Sequence, residues 1–229
     1  MPIARINNRL IFFAHIPKTG GSSVEAYMRQ KGQVALVTRE RAAWARSSAQ
    51  HMEAAAFTAF FRDGFCDAGF AVVRDPKARL VSEYKMRRAQ IEERLRKRGH
   101  RERTLRKVVK SLIGRRDPAR DSVPEFDDWV RWVFANYRRH PYMNDNHIRP
   151  QVEFVHPRHR LFRFEDGLAP VLRWIDEVTD TPQGNIQVHL LKGAGGEVTC
   201  APSTDALIRH FYRADYELME SVAVRRGAA

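Results

Sequence analysis

Short, wholly apolar runs alternate along the chain with segments of helical periodicity, and each apolar run ends in turn-forming or charged residues. Leu10-Ile11-Phe12-Phe13-Ala14-His15 reads as a buried strand that stops at a Pro/Gly loop. Gln33 to Val37, Gly69-Phe70-Ala71-Val72-Val73-Arg74 and Leu161-Phe162-Arg163-Phe164 read the same way. Between them, Ser22 or Ser23 is placed to cap a helix through Val24, Glu25, Ala26, Tyr27 and Met28. Glu53 to Arg62 predicts a second helix, and Asp75-Pro76 opens a third, with proline in the first turn where its missing N–H costs nothing. A helix over Leu168 to Glu177 follows the last strand, and Leu207, Phe211, Tyr216 and Met219 have helical spacing in the tail from Ser203 to Val222.

Strands that are apolar throughout belong in a sheet covered on both faces. The pattern therefore predicts an α/β fold of three layers, with a central, mostly parallel sheet and helices on both faces. Ligands of such sheets bind outside the carboxyl ends of the strands, where the loops after His15 and Val73 fall. At 229 residues and 43% hydrophobic content the chain suits one domain, 1–229. No apolar run approaches the roughly 20 residues of a bilayer span. The run after Arg5 and Arg9 is too short for a signal-peptide core, so a cytoplasmic protein is expected. Cys66 and Cys200 lack metal-ligand spacing and read as lone buried thiols.

Charge changes this picture in one place. The formal net charge is +13, and the stretch from Lys85 to Arg120, with 15 Lys/Arg and 4 Asp/Glu, carries +11 of it. A near-neutral body thus bears one basic helical insertion at about 85–120. It reads as a solvated helical hairpin, as a surface for an anionic acceptor such as an acidic glycan, or as a peripheral contact with anionic membrane lipid. No nucleic-acid partner is expected, because neither a nucleic-acid fold motif nor an interleaved aromatic platform accompanies the charge.

Candidate chemistry begins where the first strand runs into Pro17-Lys18-Thr19-Gly20-Gly21-Ser22-Ser23 and then a helix. Two glycines let backbone N–H groups approach an anion, the helix start adds partial positive charge, and Thr19, Ser22, Ser23 and Lys18 supply donors. A nucleotide-triphosphate loop places its lysine after the last glycine; here Lys18 precedes both, and no Gly-Lys-Ser or Gly-Lys-Thr occurs in the chain. A second anion site is written in Val72-Val73-Arg74-Asp75-Pro76-Lys77-Ala78-Arg79-Leu80-Val81-Ser82-Glu83-Tyr84. There an arginine at a strand end and a serine two helical turns later can close on one phosphate.

His15-Ile16-Pro17-Lys18-Thr19-Gly20-Gly21-Ser22-Ser23 resembles the 5′-phosphosulfate loop of sulfotransferases that use 3′-phosphoadenosine 5′-phosphosulfate (PAPS), and the Arg74/Ser82 stretch resembles their 3′-phosphate motif. The similarity is to the carbohydrate-type branch that includes heparan sulfate 2-O-sulfotransferases. The resemblance implies a P-loop-like fold, PAPS as co-substrate with 3′,5′-ADP as product, no metal, and a hydroxyl-bearing acceptor, in this branch a carbohydrate. It implies that Lys18 contacts the phosphosulfate and stabilises charge on the bridging oxygen, and that Pro17 to Ser23, Arg74 and Ser82 bind the cofactor. Arg79 matches a basic position of the branch, with a surface salt bridge as the bland alternative.

Sulfuryl transfer to a hydroxyl needs a base, and histidine suits it. His51, in Gln50-His51-Met52-Glu53, matches the branch's histidine between the two anion motifs. His147, in the polar segment Met143 to Gln151, is the reserve base, and that segment faces the acceptor on this reading. Glu53 either orients His51 or serves as base, and His15 reads as structural. Arg163, Glu165 and Lys192 are further candidates to line the cofactor site. The competing reading of the whole chain is a non-catalytic nucleotide- or polyanion-binding protein.

Overall fold

A computed structural model describes residues 1–102, 123–184 and 197–227. Five strands, β1 (Ile3–Ile6), β2 (Arg9–Ala14), β3 (Gln33–Ala35), β4 (Ala68–Val73) and β5 (Arg160–Arg163), form one sheet in the order β3-β1-β2-β4-β5. The sheet is mixed: β2, β4 and β5 run parallel, whereas β1 pairs antiparallel with both β2 and β3. β1 was not foreseen. It folds back on β2 through Asn7-Asn8, both left-handed, the two-residue turn whose twist matches a hairpin. Among the described residues, seven helices accompany the sheet: α1 (Gly21–Lys31), α2 (Ala54–Phe60), α3 (Pro76–Glu102), α4 (Phe126–Tyr137), α5 (Ala169–Thr179), α6 (Pro202–Phe211) and α7 (Arg213–Gly227).

Alternation along the central strands supplies both cores. Ile11 and Phe13 of β2, with Phe70 and Val72 of β4, face α1 and α5. Phe12 and Ala14, with Ala71 and Val73, face α2, α7 and Phe154. A fully buried Phe13 or Phe70 is each worth about 1.5–3 kcal/mol of burial, which pins the register of β2 against β4 and so the level at which their carboxyl-end loops emerge. A third apolar cluster joins α3, α4 and α6 and takes in Ile148 from the polar segment.

Several expectations need adjustment. The helical spacing of the tail belongs to two helices, broken at Tyr212. The first part of the basic stretch continues α3 directly out of the second anion motif; residues 103–122 lie outside the described residues, as does Lys192. Cys66 and Cys200 are free thiols but only partly buried. No helix among the described residues is long and apolar enough to cross a membrane.

Candidate active site

The loop after β2 is shaped by left-handed backbone at Lys18 (φ +70°) and Gly20 (φ +83°). Gly20, not Ser22 or Ser23, is the N-cap of α1; both serines lie inside the first turn, which closes with the Ser23 N–H on the Gly20 carbonyl at 3.0 Å. The reason is that Gly20 has already turned the chain left-handed, so the helix begins before either serine can cap it. The Thr19 hydroxyl is fully buried and donates to the Ile16 carbonyl at 2.9 Å, so it braces the loop internally. The backbone N–H groups of Lys18 to Ser22 have no acceptor among the described residues. A run of free donors at a helix start is an anion site.

The paired glycines answer two separate demands. A Cβ on Gly20 would meet the Phe164 ring at 3.0 Å, besides the cost of its φ; a Cβ on Gly21 would collide outright with the His15 ring at Nε2. His15 is therefore packed flat beneath the loop, stacked on Phe13 with ring centroids 5.2 Å apart, in keeping with a structural role.

The second anion motif meets the first here. Arg74, leaving β4, donates Nη1–H to the Lys18 carbonyl at 3.0 Å across 56 residues of sequence, and its guanidinium lies 4.5 Å over the Phe164 ring. Phe164 is thus wedged between Gly20 and Arg74. The Gln151 side chain brackets the Arg74 backbone, accepting its N–H at 3.0 Å and donating to its carbonyl at 2.8 Å. Asp75 caps α3 by accepting the Ala78 N–H at 2.7 Å. Glu165 accepts the Asp75 N–H at 2.8 Å and sits 3.8 Å from Arg163, so these two brace the strand end. Ser82 lies half-buried two turns along α3.

Arg79 makes no surface salt bridge. It is 1% exposed, donates to the carbonyls of His147 (3.2 Å) and Arg149 (2.7 Å), and packs over Tyr212. Its length lets it reach through the apolar cluster and clamp the polar segment onto α3.

Three histidines from distant parts of the chain then stand edge to face in a row. The His15 and His51 centroids are 5.1 Å apart, and those of His51 and His147 4.8 Å. Each faces a carboxylate: Glu25 Oε2 at 3.7 Å from His15 Nδ1, too far for a hydrogen bond; Asp145 Oδ2 at 2.8 Å from His51 Nδ1; Glu83 Oε2 at 2.6 Å from His147 Nδ1. Glu53 does not orient His51. It accepts from the Tyr142 hydroxyl at 3.0 Å and from the Asn146 amide at 3.3 Å instead.

Burial pushes the His51 imidazole down to about 3, with His15 and His147 adding to the effect and Asp145 opposing it. Burial would raise the Glu83 carboxyl, but His147 and Arg87 outweigh it and hold Glu83 down to about 2. Asp145 likewise is held well below the usual carboxylate range, because hydrogen bonds from His51 and Ser48 outweigh its burial. Burial also lowers the Lys18 ammonium, against the pull of Glu83 and with help from Arg74 and Arg87; its Nζ lies 3.5 Å from Met86 Sδ on α3.

The structure therefore brings together Lys18, Gly20, Gly21, Arg74, His51 and His147, all anticipated, with Asp145, Glu83, Gln151 and Phe164, which were not. Glu83 stood in the quoted motif as the neighbour of Ser82, and Asp145 in an Asn/Asp run suited to left-handed backbone; neither signal names a histidine partner. Among the described residues no group of three or more His, Cys, Asp or Glu side chains is arranged to hold a metal.

No curated protein and no solved structure matches the chain. A family model does, and it runs from β1 through the Phe164–Asp166 turn, across both anion motifs and the histidine row. With residues 4–168 matched, well over half its length, the chain belongs to the sulfotransferase family.

Proposed function

We propose that the protein transfers a sulfuryl group from PAPS to a hydroxyl of a carbohydrate acceptor, on a P-loop-like fold, with His51 as general base. The contact between Arg74 Nη1 and the Lys18 carbonyl carries the reading, because it sets the two anion motifs side by side, as a ligand with phosphates at both ends requires. The free N–H groups from Lys18 to Ser22 fit a phosphosulfate. Arg74 engages only Nη1 in that contact, which leaves Nε and Nη2 for a 3′-phosphate, with Ser82 on the helix that follows.

In this scheme His51 Nε2 accepts the proton of the acceptor hydroxyl while that oxygen forms a bond to sulfur. The bond from sulfur to the bridging oxygen breaks, its electron pair stays with the 5′-phosphate, and Lys18 with the loop N–H groups meets the charge that develops there. These donors are fixed before reaction, so little reorganisation opposes the step. The carbohydrate acceptor is supported by the likeness to the heparan sulfate branch. The basic composition of α3 suits an anionic acceptor or a membrane surface.

Incubation with radiolabelled PAPS and a panel of glycans, small alcohols and lipids tests the reading. Label should pass to a glycan. Lys18→Ala should lower turnover on the order of 10²–10³-fold, and Arg74→Ala should abolish the thermal shift on adding 3′,5′-ADP. Binding of 3′,5′-ADP without transfer to any acceptor would favour the non-catalytic reading.

A further inference from the structure

Asn144 (φ +53°), Asp145 (φ +56°) and Asn146 (φ +64°) are three consecutive left-handed residues, none of them glycine. Strain of this kind persists only where surrounding contacts over-determine it, and it gathers at functional sites. Here Asp145 and Asn146 both send a side chain to His51. Asp145 Oδ2 meets His51 Nδ1 at 2.8 Å. The Ser48 N–H and hydroxyl both donate to the same carboxylate at 2.6 Å, and the Ser48 Oγ also accepts the His51 N–H at 3.3 Å. Next along the run, the Asn146 amide donates to the His51 carbonyl at 2.8 Å and is itself held by Arg149 Nε at 3.0 Å. His51 is gripped by its backbone and its ring at once, from a segment about 94 residues away in sequence.

We propose that Asp145 is the positioning residue of the transfer reaction, holding His51 as the Nδ1–H tautomer so that Nε2 carries the lone pair that takes the acceptor's proton. An ionised carboxylate can only accept, so the hydrogen on this contact belongs to His51 Nδ1. A neutral imidazole so held has its other nitrogen free as a base. The only ring hydrogen bond of His51 among the described residues is at Nδ1, and the side chain keeps 10% of its surface exposed. The ring is confined laterally by His15 and His147, so the carboxylate fixes both its tautomer and its rotation.

The inference rests on His51 as base, and its test separates the two. Asp145→Asn keeps size and tolerance for left-handed backbone, but presents an amide N–H₂ toward His51 in place of the acceptor. Nitrogen-15 spectra of histidine-labelled protein should show His51 changing from the Nδ1–H to the Nε2–H tautomer. Turnover, read as transfer to the best glycan of the panel or as slow release of sulfate from PAPS to water, should fall on the order of 10²–10⁴-fold, with the 3′,5′-ADP thermal shift unchanged. Ser48→Ala, which removes one of the donors that aim the carboxylate, should give a smaller fall of the same kind. An unchanged tautomer in Asp145→Asn, or near-normal turnover, overturns the proposal. So does turnover that survives Asp145→Asn but is lost in Glu83→Gln, since the role then passes to His147. Full turnover in His51→Gln overturns the base reading itself, while the spectra of the Asp145 variant still report whether the carboxylate sets the tautomer.

Discussion

Two segments of this protein are bent into left-handed backbone, and they do it with different residues. In the loop after β2 the conformation falls on Lys18 and on Gly20, which has no side chain to oppose it, and what the loop presents is backbone N–H. In the polar segment before β5 the same conformation falls on Asn144, Asp145 and Asn146, and what it presents is side chains, a carboxylate and an amide aimed at His51. At Gly20 and Gly21 the loop after β2 cannot carry a Cβ, because Phe164 and His15 occupy the space. A loop that must aim a functional group cannot dispense with one. The second therefore tolerates strain of roughly 1–2 kcal/mol per residue, least for Asn and Asp, whose short polar side chains suit the conformation.

Acid should give the largest separation of the two segments. His51 is held down to about 3 in the fold against 6.5 in a free chain, so between those values the unfolded state binds the proton and the folded state does not. Stability then falls as pH drops through 6.5 towards 3, by up to about 1.4 kcal/mol for each pH unit crossed. Buried His15, also pushed downward, acts in the same direction. Glu83, held down to about 2, adds a loss below the usual 4.5, where the unfolded chain takes the proton and the fold does not. Melting temperatures between pH 7 and 4 should fall, and the fall should be shallower in His51→Gln. An equal slope in that variant would locate the acid sensitivity elsewhere.

Gly21→Ala comes next. Its Cβ must displace His15, which leans on His51, so it should disturb both segments at once. A loss of about 1–3 kcal/mol in urea denaturation is expected, together with a lost 3′,5′-ADP shift. Gly20→Ala should cost about 1–2 kcal/mol through its φ alone, and if it equals or exceeds Gly21→Ala the two glycines do not divide their roles as described. Asn144→Gly should have the smallest effect, within about 1 kcal/mol of the parent. Relief of left-handed strain offsets the added freedom of the unfolded chain. A large destabilisation there would mean that the Asn144 side chain is itself a fastening.

Much of the fold was legible. The strands at Leu10, Gln33, Gly69 and Leu161 and the helices following the two anion motifs appear close to where periodicity puts them. β1 was missed because Ile3-Ala4-Arg5-Ile6 is short and carries a charge, although Asn7-Asn8 was a usable hairpin signal. The serine caps were misplaced because capping propensity is weaker than a glycine already committed to left-handed backbone. Of the two readings of Arg79 only the surface salt bridge fails, because nothing local reveals that two carbonyls from residues 147–149 converge on it.

What the sequence determined by itself is local: an apolar strand entering a Gly-Gly loop before a helix, and an arginine and a serine two helical turns apart. Backbone conformation and the hydrogen bonds of a turn depend on residues a few positions away, so they can be read from spacing. What only the tertiary structure decided is which charges meet: Arg74 on the Lys18 carbonyl, Asp145 on His51 and Glu83 on His147, across 56, 94 and 64 residues. Those pairings follow from strand order and from helices packing on a shared core. Burial lowers the His51 imidazole, while the partners that meet Glu83 and Asp145 hold those carboxyls down, and no stretch of sequence contains both partners of any pair.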